Sequence, residues 1–572
     1  MREQVHKPVT GFRTGVVISA VLVAAAVLSW RAVDLHVLNK DFLQSQGDAR
    51  YLRVQPIAAH RGMILDRHGE PLAISTPVDA IWVHPKKFMT EQTRWVEVAK
   101  LLDLNIKEIR NKVLSRQNKE FVYLKRNVAP SIANNVMKLE VSGVSLQREY
   151  KRYYPAGEVA AHVIGFTNVD DQGQEGLELA YDEWLRGEPG RQRVIKDRLG
   201  RVIQRVEQIS AAKAGKDIQL SIDRRIQYLT YRELKRAVVK HKARSGSAVV
   251  LDARNGEVLA MVNQPAYNPN NHRNIKSSQF RNRAVTDVFE PGSTIKPFTV
   301  VAALESGRFH NNSMVDTTPG LYKVGNSTIK DTRNYGRINL ATLLQKSSNV
   351  GATKLALAIK PEIIWKLHSK IGFGETSSSG FPGEASGLLR HSKKWRKIER
   401  ATLAFGYGMS VTALQLARAY SVLANDGKLQ DVSFIRQDKI QNTKQIIKPR
   451  IARQVRKMLQ QVVLEGGTGM KASIPGYKVA GKTGTAKKAI RGGYSDDRYT
   501  AVFAGMVPAT QPRLVMVVVI DEPSNGVYYS GEVAAPVFSK VMSSVLPLMD
   551  VAPDNITQKA IHLAAKKMEA RP

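Results

Sequence analysis

The stretch GYKVAGKTGTAKK, residues 476–488, admits two incompatible readings. Gly476 to Thr483 satisfies the phosphate-loop pattern G-x-x-x-x-G-K-T, and LVMVVVIDE (514–522) has the look of the acidic strand end that holds magnesium in a nucleotidase. Lys482-Thr483-Gly484 is equally the last element of a serine acyl-transfer site. A phosphate loop needs a buried strand before it and a long helix after it. The preceding MKASIP (470–475) ends on Pro475, which argues against a central strand. After Thr485 only AKKAIR (486–491) stands before Gly492-Gly493, less than two turns of helix. The apolar runs 499–506 and 514–521 are linked only by Val507–Arg513. Parallel neighbours need a crossover of about a dozen residues or more, so this pair is expected to be antiparallel, unlike a nucleotidase sheet.

The serine reading demands two further elements. S-x-x-K occurs at Ser210, Ser293 and Ser327, S-x-N at Ser347-Ser348-Asn349, and K-T-G at Lys482. Of the three serines, Ser293 has the mechanical context, in FEPGSTIKPF (289–298). Pro291-Gly292 makes a turn and a helix begins, with Ser293 and Lys296 three apart on one face. Pro297 would cost about 3 kcal/mol or more in a helix interior, so it confines Ser293 to the helix start. There the unpaired N–H groups and the dipole favour developing negative charge. A capping serine and a surface lysine would each explain one residue alone; they do not explain all three elements in order.

The catalytic roles then fall to Ser293, Lys296, Ser347, Asn349 and Lys482. Lys296, desolvated and neutral, takes the proton of Ser293. Ser347 bridges toward Lys296 and passes a proton to the leaving amine. Asn349 holds a substrate amide, and Lys482 places positive charge near the substrate. Thr483, Gly484 and Thr485 form the substrate-binding segment, the two threonines offering hydroxyls to a carboxylate. The N–H groups of Ser293 and Thr485 form the oxyanion hole.

The 572 residues can hold two or three domains, and 43% apolar with 24% charged residues describes a folded chain. There is no cysteine, and the 12 histidines are scattered without H-E-x-x-H, so neither a metal nor a cofactor is expected. The formal charge of +36 raises nucleic-acid binding, but no helix-turn-helix, RNP or zinc-finger signature is present and the basic residues are spread along the chain. A basic surface facing anionic lipid or envelope polymer fits better, and no nucleic-acid partner is expected.

GVVISAVLVAAAVLSW (15–30) carries no charge. A span needs about 20 apolar residues; Phe12 extends the run, and Arg13 and Arg31 can snorkel. Arg2, Lys7 and Arg13 precede it, which keeps the N-terminus in the cytoplasm. Ala24-x-Ala26 could be a signal-peptidase site, but the apolar run continues to Trp30, as in an uncleaved anchor. Gly15/Ser19 and Ala20/Ala24 would let another helix approach closely. Everything after the anchor would lie outside, where a nucleotidase finds no ATP.

The organisation expected is a cytoplasmic tail 1–14, an anchor 15–35, a strand-rich spacer 50–235, a catalytic domain 240–548 and a basic tail 549–572 carrying Lys559, Lys566, Lys567 and Arg571. Residues 32–50 read as a helical stem with Val33, Val37, Leu38 and Phe42 on one side. HRGMILDRHGEPLAIS (60–75) reads as two short strands around a turn, 91–116 as a helix with Leu101, Leu102, Ile109 and Val113 as its stripe, and 152–190 as turns. In the catalytic domain, strands Ser247–Leu251 and Val258–Val262 flank an Asn-Gly turn, helices fill 296–470, and strands return at 477–482, 499–506 and 514–521. Two opening and three closing strands suggest one antiparallel sheet with helices packed against it, an α+β fold.

EPGSTIKPF (290–298), QKSSNVG (345–351) and GKTGTAKK (481–488) together resemble the class B penicillin-binding proteins, in particular the division-specific FtsI-type peptidoglycan D,D-transpeptidases. The resemblance covers nearly the whole chain. HRGMILDRHGEPLA (60–73) and GEVAAHVIGFTN…GQEGLE (157–178) are similar to that family's non-catalytic pedestal, a dimerisation-type domain. The match of 152–190 and of RNRAVTDVFEPGST (281–294) favours the division type over the elongation type, and YYSGEVAAPVF (528–538) is similar to the family's last strand and helix beside the active site. No glycosyltransferase domain separates anchor from pedestal, unlike class A.

The resemblance implies an α/β sandwich built on a five-stranded antiparallel sheet and carried on a pedestal. Ser293 would attack the D-Ala–D-Ala bond of a peptidoglycan stem peptide, release D-Ala, and pass the acyl group to a neighbouring stem's amine; β-lactams would trap it. Implied partners are a polytopic septal glycosyltransferase and other division proteins. The implied location is the inner membrane, single-pass, with the catalytic domain in the periplasm. Two alternatives remain on the sequence: a D,D-carboxypeptidase or β-lactamase, although no E-x-x-L-N lies between Asn349 and Lys482, and a sensor that is acylated without turnover. A nucleotidase is the remote third.

Overall fold

LVMVVVID (514–521) is apolar at nearly every position, and its neighbours explain why. In the computed structural model Val515, Val517 and Val519 face one core and Met516, Val518 and Ile520 the other. A strand covered on both faces must be apolar throughout, whereas a half-exposed strand alternates. The structure describes residues 10–42, 52–196, 202–271, 275–438 and 443–555. The readings of Arg2 and Lys7, of the stem beyond 42 and of the tail lysines from Lys559 onward lie outside the described residues.

The chain divides into two units, each discontinuous in sequence: 1–60, 77–151 and 187–214 in one, 61–76, 152–186 and 215–572 in the other. The segment 50–235, read above as one spacer, is shared between them.

The second unit holds the five-stranded sheet. Its strands are β1 (Ser245–Asp252), β2 (Val258–Gln264), β3 (Ala480–Ile490), β4 (Gly493–Val507) and β5 (Leu514–Asp521), in the order β2-β1-β5-β4-β3. All four pairings are antiparallel. The antiparallel β4–β5 pair excludes the nucleotidase sheet, and Lys482-Thr483 lies inside an edge strand, not in a loop that opens a helix. The expected strand 477–482 is corrected: β3 begins at Ala480 and runs through the K-T-G to Ile490, because residues 486–490, too short for a stable helix, pair instead with β4 as far as Ile490 and Gly493.

One face of the sheet is covered by helices Arg224–Lys240 and Ala535–Leu548, through Ile226, Leu234, Phe538 and Met542. The other is covered by helix Ala413–Ala424, through Leu416 and Tyr420, and by the largely helical segment beyond it. Residues 528–538 contain no strand: Ser530–Val533 is a short helix that leads into Ala535–Leu548, Pro536 sitting where a helix start tolerates it. Segments 61–76 and 152–186, which belong to this unit, are tied to each other through buried charges. Arg61 meets Glu178 and Asp182, each at 2.7 Å, and Arg152 meets Glu178 at 2.6 Å. Removing one member of such a group would strand a buried charge.

In the first unit the helix Thr10–Val33 is exposed along residues 11–33, as an anchor without its bilayer must be, and a π-helical turn Asp34–Leu38 follows. Val33, Val37, Leu38 and Phe42 are exposed. Strands Leu52–Ile57, Gly190–Lys196 and Val202–Ser210 form one small sheet. The single helix expected over 91–116 is two, Trp95–Leu102 and Ile106–Leu114. Asp103 turns left-handed at φ 47° and Asn105 caps the second helix by accepting from Lys107 N at 2.9 Å, the two positions where short polar side chains compete with a continuing helix.

Candidate active site

Gly292–Ile295 forms a 3-10 turn that runs into the helix Lys296–Glu305, with Pro297 in the first turn, where its missing N–H costs nothing. Ser293 is half-buried within that turn, and its neighbours from Thr294 onward are buried. The turn is held from several sides. Gly292 N donates to Gly406 O at 3.2 Å, Thr294 Oγ1 donates to Pro291 O at 2.7 Å, and Tyr420 OH donates to Thr294 O at 2.8 Å.

Ser347-Ser348-Asn349 sits where one helix stops and the next starts. Ser347 ends helix Leu340–Lys346 in the left-handed region at φ 59°, a conformation uncommon for a residue with a Cβ. Ser348 caps helix Asn349–Ala358, its hydroxyl accepting from Gly351 N at 2.8 Å. This abrupt reversal aims both flanking residues at one amine: Lys296 Nζ donates to Asn349 Oδ1 at 2.7 Å and to Ser347 O, and lies 3.1 Å from Ser347 Oγ.

The third element arrives on the sheet edge. β3 packs against the nucleophile turn so closely that a Cβ on Gly484 would stand 2.8 Å from Pro291 O and 2.9 Å from Thr294 Cγ2. Lys482 is fully buried, its Nζ donating to Thr483 O at 3.2 Å. Thr483 Oγ1 lies 2.6 Å from Thr468 Oγ1, and Thr485 Oγ1 accepts from Ser530 N at 3.1 Å and donates to Ser530 Oγ at 3.2 Å. As an edge strand, β3 presents a backbone rim to which an extended peptide can add.

Electrostatics follow from burial. The Lys296 amine is driven well below the usual lysine range by desolvation and pushed further by Lys482, while Asp331 opposes both. Burial brings Lys482 down to about 7, so it is only partly charged at neutral pH. A partly open cavity of about 270 Å³, lined by Glu290, Ser410, Lys487 and Asp521 among others, contains none of the expected site residues.

Lys296, Ser347 and Asn349 are thus joined by hydrogen bonds, Lys482 is within electrostatic reach of Lys296, and Gly484 lies against the turn that carries Ser293. Sequence reasoning missed four residues here: Asp331, which binds the start of the Asn349 helix, Thr468 and Ser530, which hold the threonines of β3, and Glu290, which accepts from Gly408 N at 2.8 Å and from Tyr494 OH at 3.1 Å. Ser530 and Glu290 stood inside quoted motifs but had no role assigned. Asp331 and Thr468 lie in polar loops without pattern.

Comparison with known proteins places these features. Residues 246–543 match the penicillin binding protein transpeptidase domain and residues 56–220 the penicillin-binding protein dimerisation domain. The chain is 44% identical to the peptidoglycan D,D-transpeptidase FtsI of Escherichia coli K12 over 97% of its own length and 95% of that protein. It is 43% identical to a probable peptidoglycan D,D-transpeptidase PenA of Neisseria meningitidis serogroup A over 96% and 95% of the two chains. Among solved structures, the apo TP domain of Burkholderia pseudomallei penicillin-binding protein 3 is 44% identical, with a TM-score of 0.55, covering 59% of this chain and 98% of that one.

Proposed function

The chain belongs to the penicillin-binding proteins that join a dimerisation domain to a transpeptidase domain, and on that premise we propose that it is a peptidoglycan D,D-transpeptidase that cross-links stem peptides during cell division. It is an enzyme of the serine acyl-transfer kind, acts on peptidoglycan and binds penicillin-type compounds. The observation that carries the reading is the buried Lys296 amine, three residues after Ser293 and bonded to both Ser347 and Asn349.

Neutral Lys296 removes the proton of Ser293 Oγ as that oxygen attacks the carbonyl of the D-Ala–D-Ala bond. The N–H groups of Ser293 and Thr485 receive the oxyanion. As the C–N bond breaks, the proton passes through Ser347 to the departing D-Ala nitrogen, leaving an ester on Ser293. An amine of a second stem peptide attacks that ester, loses a proton to the same relay, and returns Ser293 to its hydroxyl form. Asn349 orients the substrate amide. Lys482 in its charged form attracts the terminal carboxylate, and Thr483, Gly484 and Thr485 supply the strand along which the donor peptide lies.

The protein is membrane-anchored through the Thr10–Val33 helix. We place that helix in the inner membrane, N-terminus inside, with the pedestal 50–235 and the catalytic domain 240–548 in the periplasm, and a septal polytopic glycosyltransferase and other division proteins as partners.

The test supplies purified protein with a D-Ala–D-Ala stem peptide and an amine acceptor. Release of D-Ala with a new amide to the acceptor is expected. Release with hydrolysis alone would make it a carboxypeptidase, and acylation without release would make it a sensor.

A further inference from the structure

Asp331 follows the strand Ser327–Lys330, outside every motif quoted above, yet its carboxylate touches three consecutive residues of the S-x-N region. Asp331 Oδ1 accepts from Val350 N at 3.0 Å and from Asn349 N, and Oδ2 accepts from Ser348 Oγ. The preceding residue completes the clamp: Asn349 Nδ2 donates to Lys330 O at 3.1 Å. Both ends of the Asn349 amide are therefore fixed, Nδ2 by the hairpin strand and Oδ1 by Lys296. A carboxylate on the unpaired N–H groups of a helix start is favoured by the helix dipole and by charge-assisted hydrogen bonds.

We infer that Asp331 is a positioning residue of the acyl-transfer site, which orients Asn349 and Ser347 about the Lys296 amine and holds a negative charge beside it. The inference rests on the function proposed above. Two charged groups act on Lys296 from the elements around it: Lys482, from β3, and Asp331, from the loop after Lys330. Ser347 and Asn349, from the facing helix start, are uncharged. Lys346, next in sequence to Ser347, turns away and donates to Gly466 O at 2.7 Å. Asp331 is thus the counterweight to Lys482: one disfavours the protonated amine, the other favours it.

A capping role alone and a capping role with a charge make different predictions. Asp331→Asn keeps an oxygen able to accept from the Asn349 and Val350 N–H groups but removes the charge. Lys296 then loses its proton more readily, so the acid limb of the acylation rate against pH moves to lower pH, by about half a unit or more. Asp331→Ala removes the acceptor as well as the charge, so its acid limb moves in the same direction, and a displaced Asn349 lowers the plateau acylation rate on the order of 10–100-fold. Asp331→Glu recovers the parental limb.

The measurement is the rate constant for acylation by a fluorescent penicillin between pH 4 and 9, read per acylatable molecule on the full-length protein in detergent. A partly misfolded preparation therefore still reports its profile. A parental profile in Asp331→Asn overturns the inference, and so does an Asn variant without acylatable molecules at any pH, since Asp331 would then serve the fold alone. If the parent itself fails to label, the function proposed above is what falls.

Discussion

Lys296 Nζ donates to Asn349 Oδ1 across 2.7 Å, although 53 residues separate them in the chain. Each stands at the first position of a helix, one after the Gly292–Ile295 turn, the other after the left-handed Ser347. Two helix starts that meet at one buried amine leave that amine able to take a proton, because its surroundings disfavour the charge it would otherwise carry.

Lys296→Ala removes the base. General-base contributions run to about 10²–10⁴-fold, so acylation by penicillin is expected to slow by on the order of 10³-fold with the fold intact by circular dichroism. A loss smaller than tenfold would remove Lys296 from the role given to it.

The two lysines predict a bell-shaped profile of kcat/KM against pH. Below its depressed pKa Lys296 is protonated and cannot act as base, which gives the acid limb. Above about 7 Lys482 loses its charge and its attraction for the carboxylate, which gives the alkaline limb. Bound carboxylate favours charged Lys482, so in kcat the alkaline limb should move to higher pH. A profile that rises without turning over to pH 10 would contradict this account of Lys482.

Gly484→Ala tests the approach of β3 to the nucleophile turn. The added Cβ would meet Pro291 O at 2.8 Å, a backbone atom unable to swing aside. The strand must back away from Ser293, and a displacement near 1 Å can cost about 10²-fold. The expected result is that loss in acylation with a change in Tm of only a few degrees. Parental acylation would show that the contact does not position the strand.

Much of the fold is legible because its signals are local or periodic. The five strands and their antiparallel sense follow from apolar runs and from linkers too short for a crossover. Pro297 fixes where the nucleophile helix starts, and S-x-N and K-T-G occur once each. What escapes is tertiary. Asp331 and Thr468 bear on the site only because the hairpin before Asp331 and the loop before Met470 are brought to it, and no spacing announces that. Asp103 and Asn105 broke a helix that its apolar stripe had made continuous. The charge of Lys482 could not be read from composition, since burial is what lowers it.

Glu290 ties the nucleophile turn to Gly408 and Tyr494. Glu290→Ala leaves two donors without their acceptor; both bonds are exposed and water can replace the lost partner, so each loss costs about 0.5–1.5 kcal/mol. Chemical denaturation should show a lower midpoint for the alanine variant and a value close to the parent for Glu290→Gln, which keeps an acceptor oxygen. Equal midpoints in all three would mean that the tie contributes nothing.

The claim on which the rest depends is that Ser293 is the residue acylated. The direct measurement is peptide mapping by mass spectrometry of the protein after treatment with benzylpenicillin, beside Ser293→Ala treated in the same way. The account predicts one penicilloyl adduct, on the peptide that contains Ser293, and none in the variant. An adduct on Ser210 or Ser327, or one that persists when Ser293 is alanine, would contradict it.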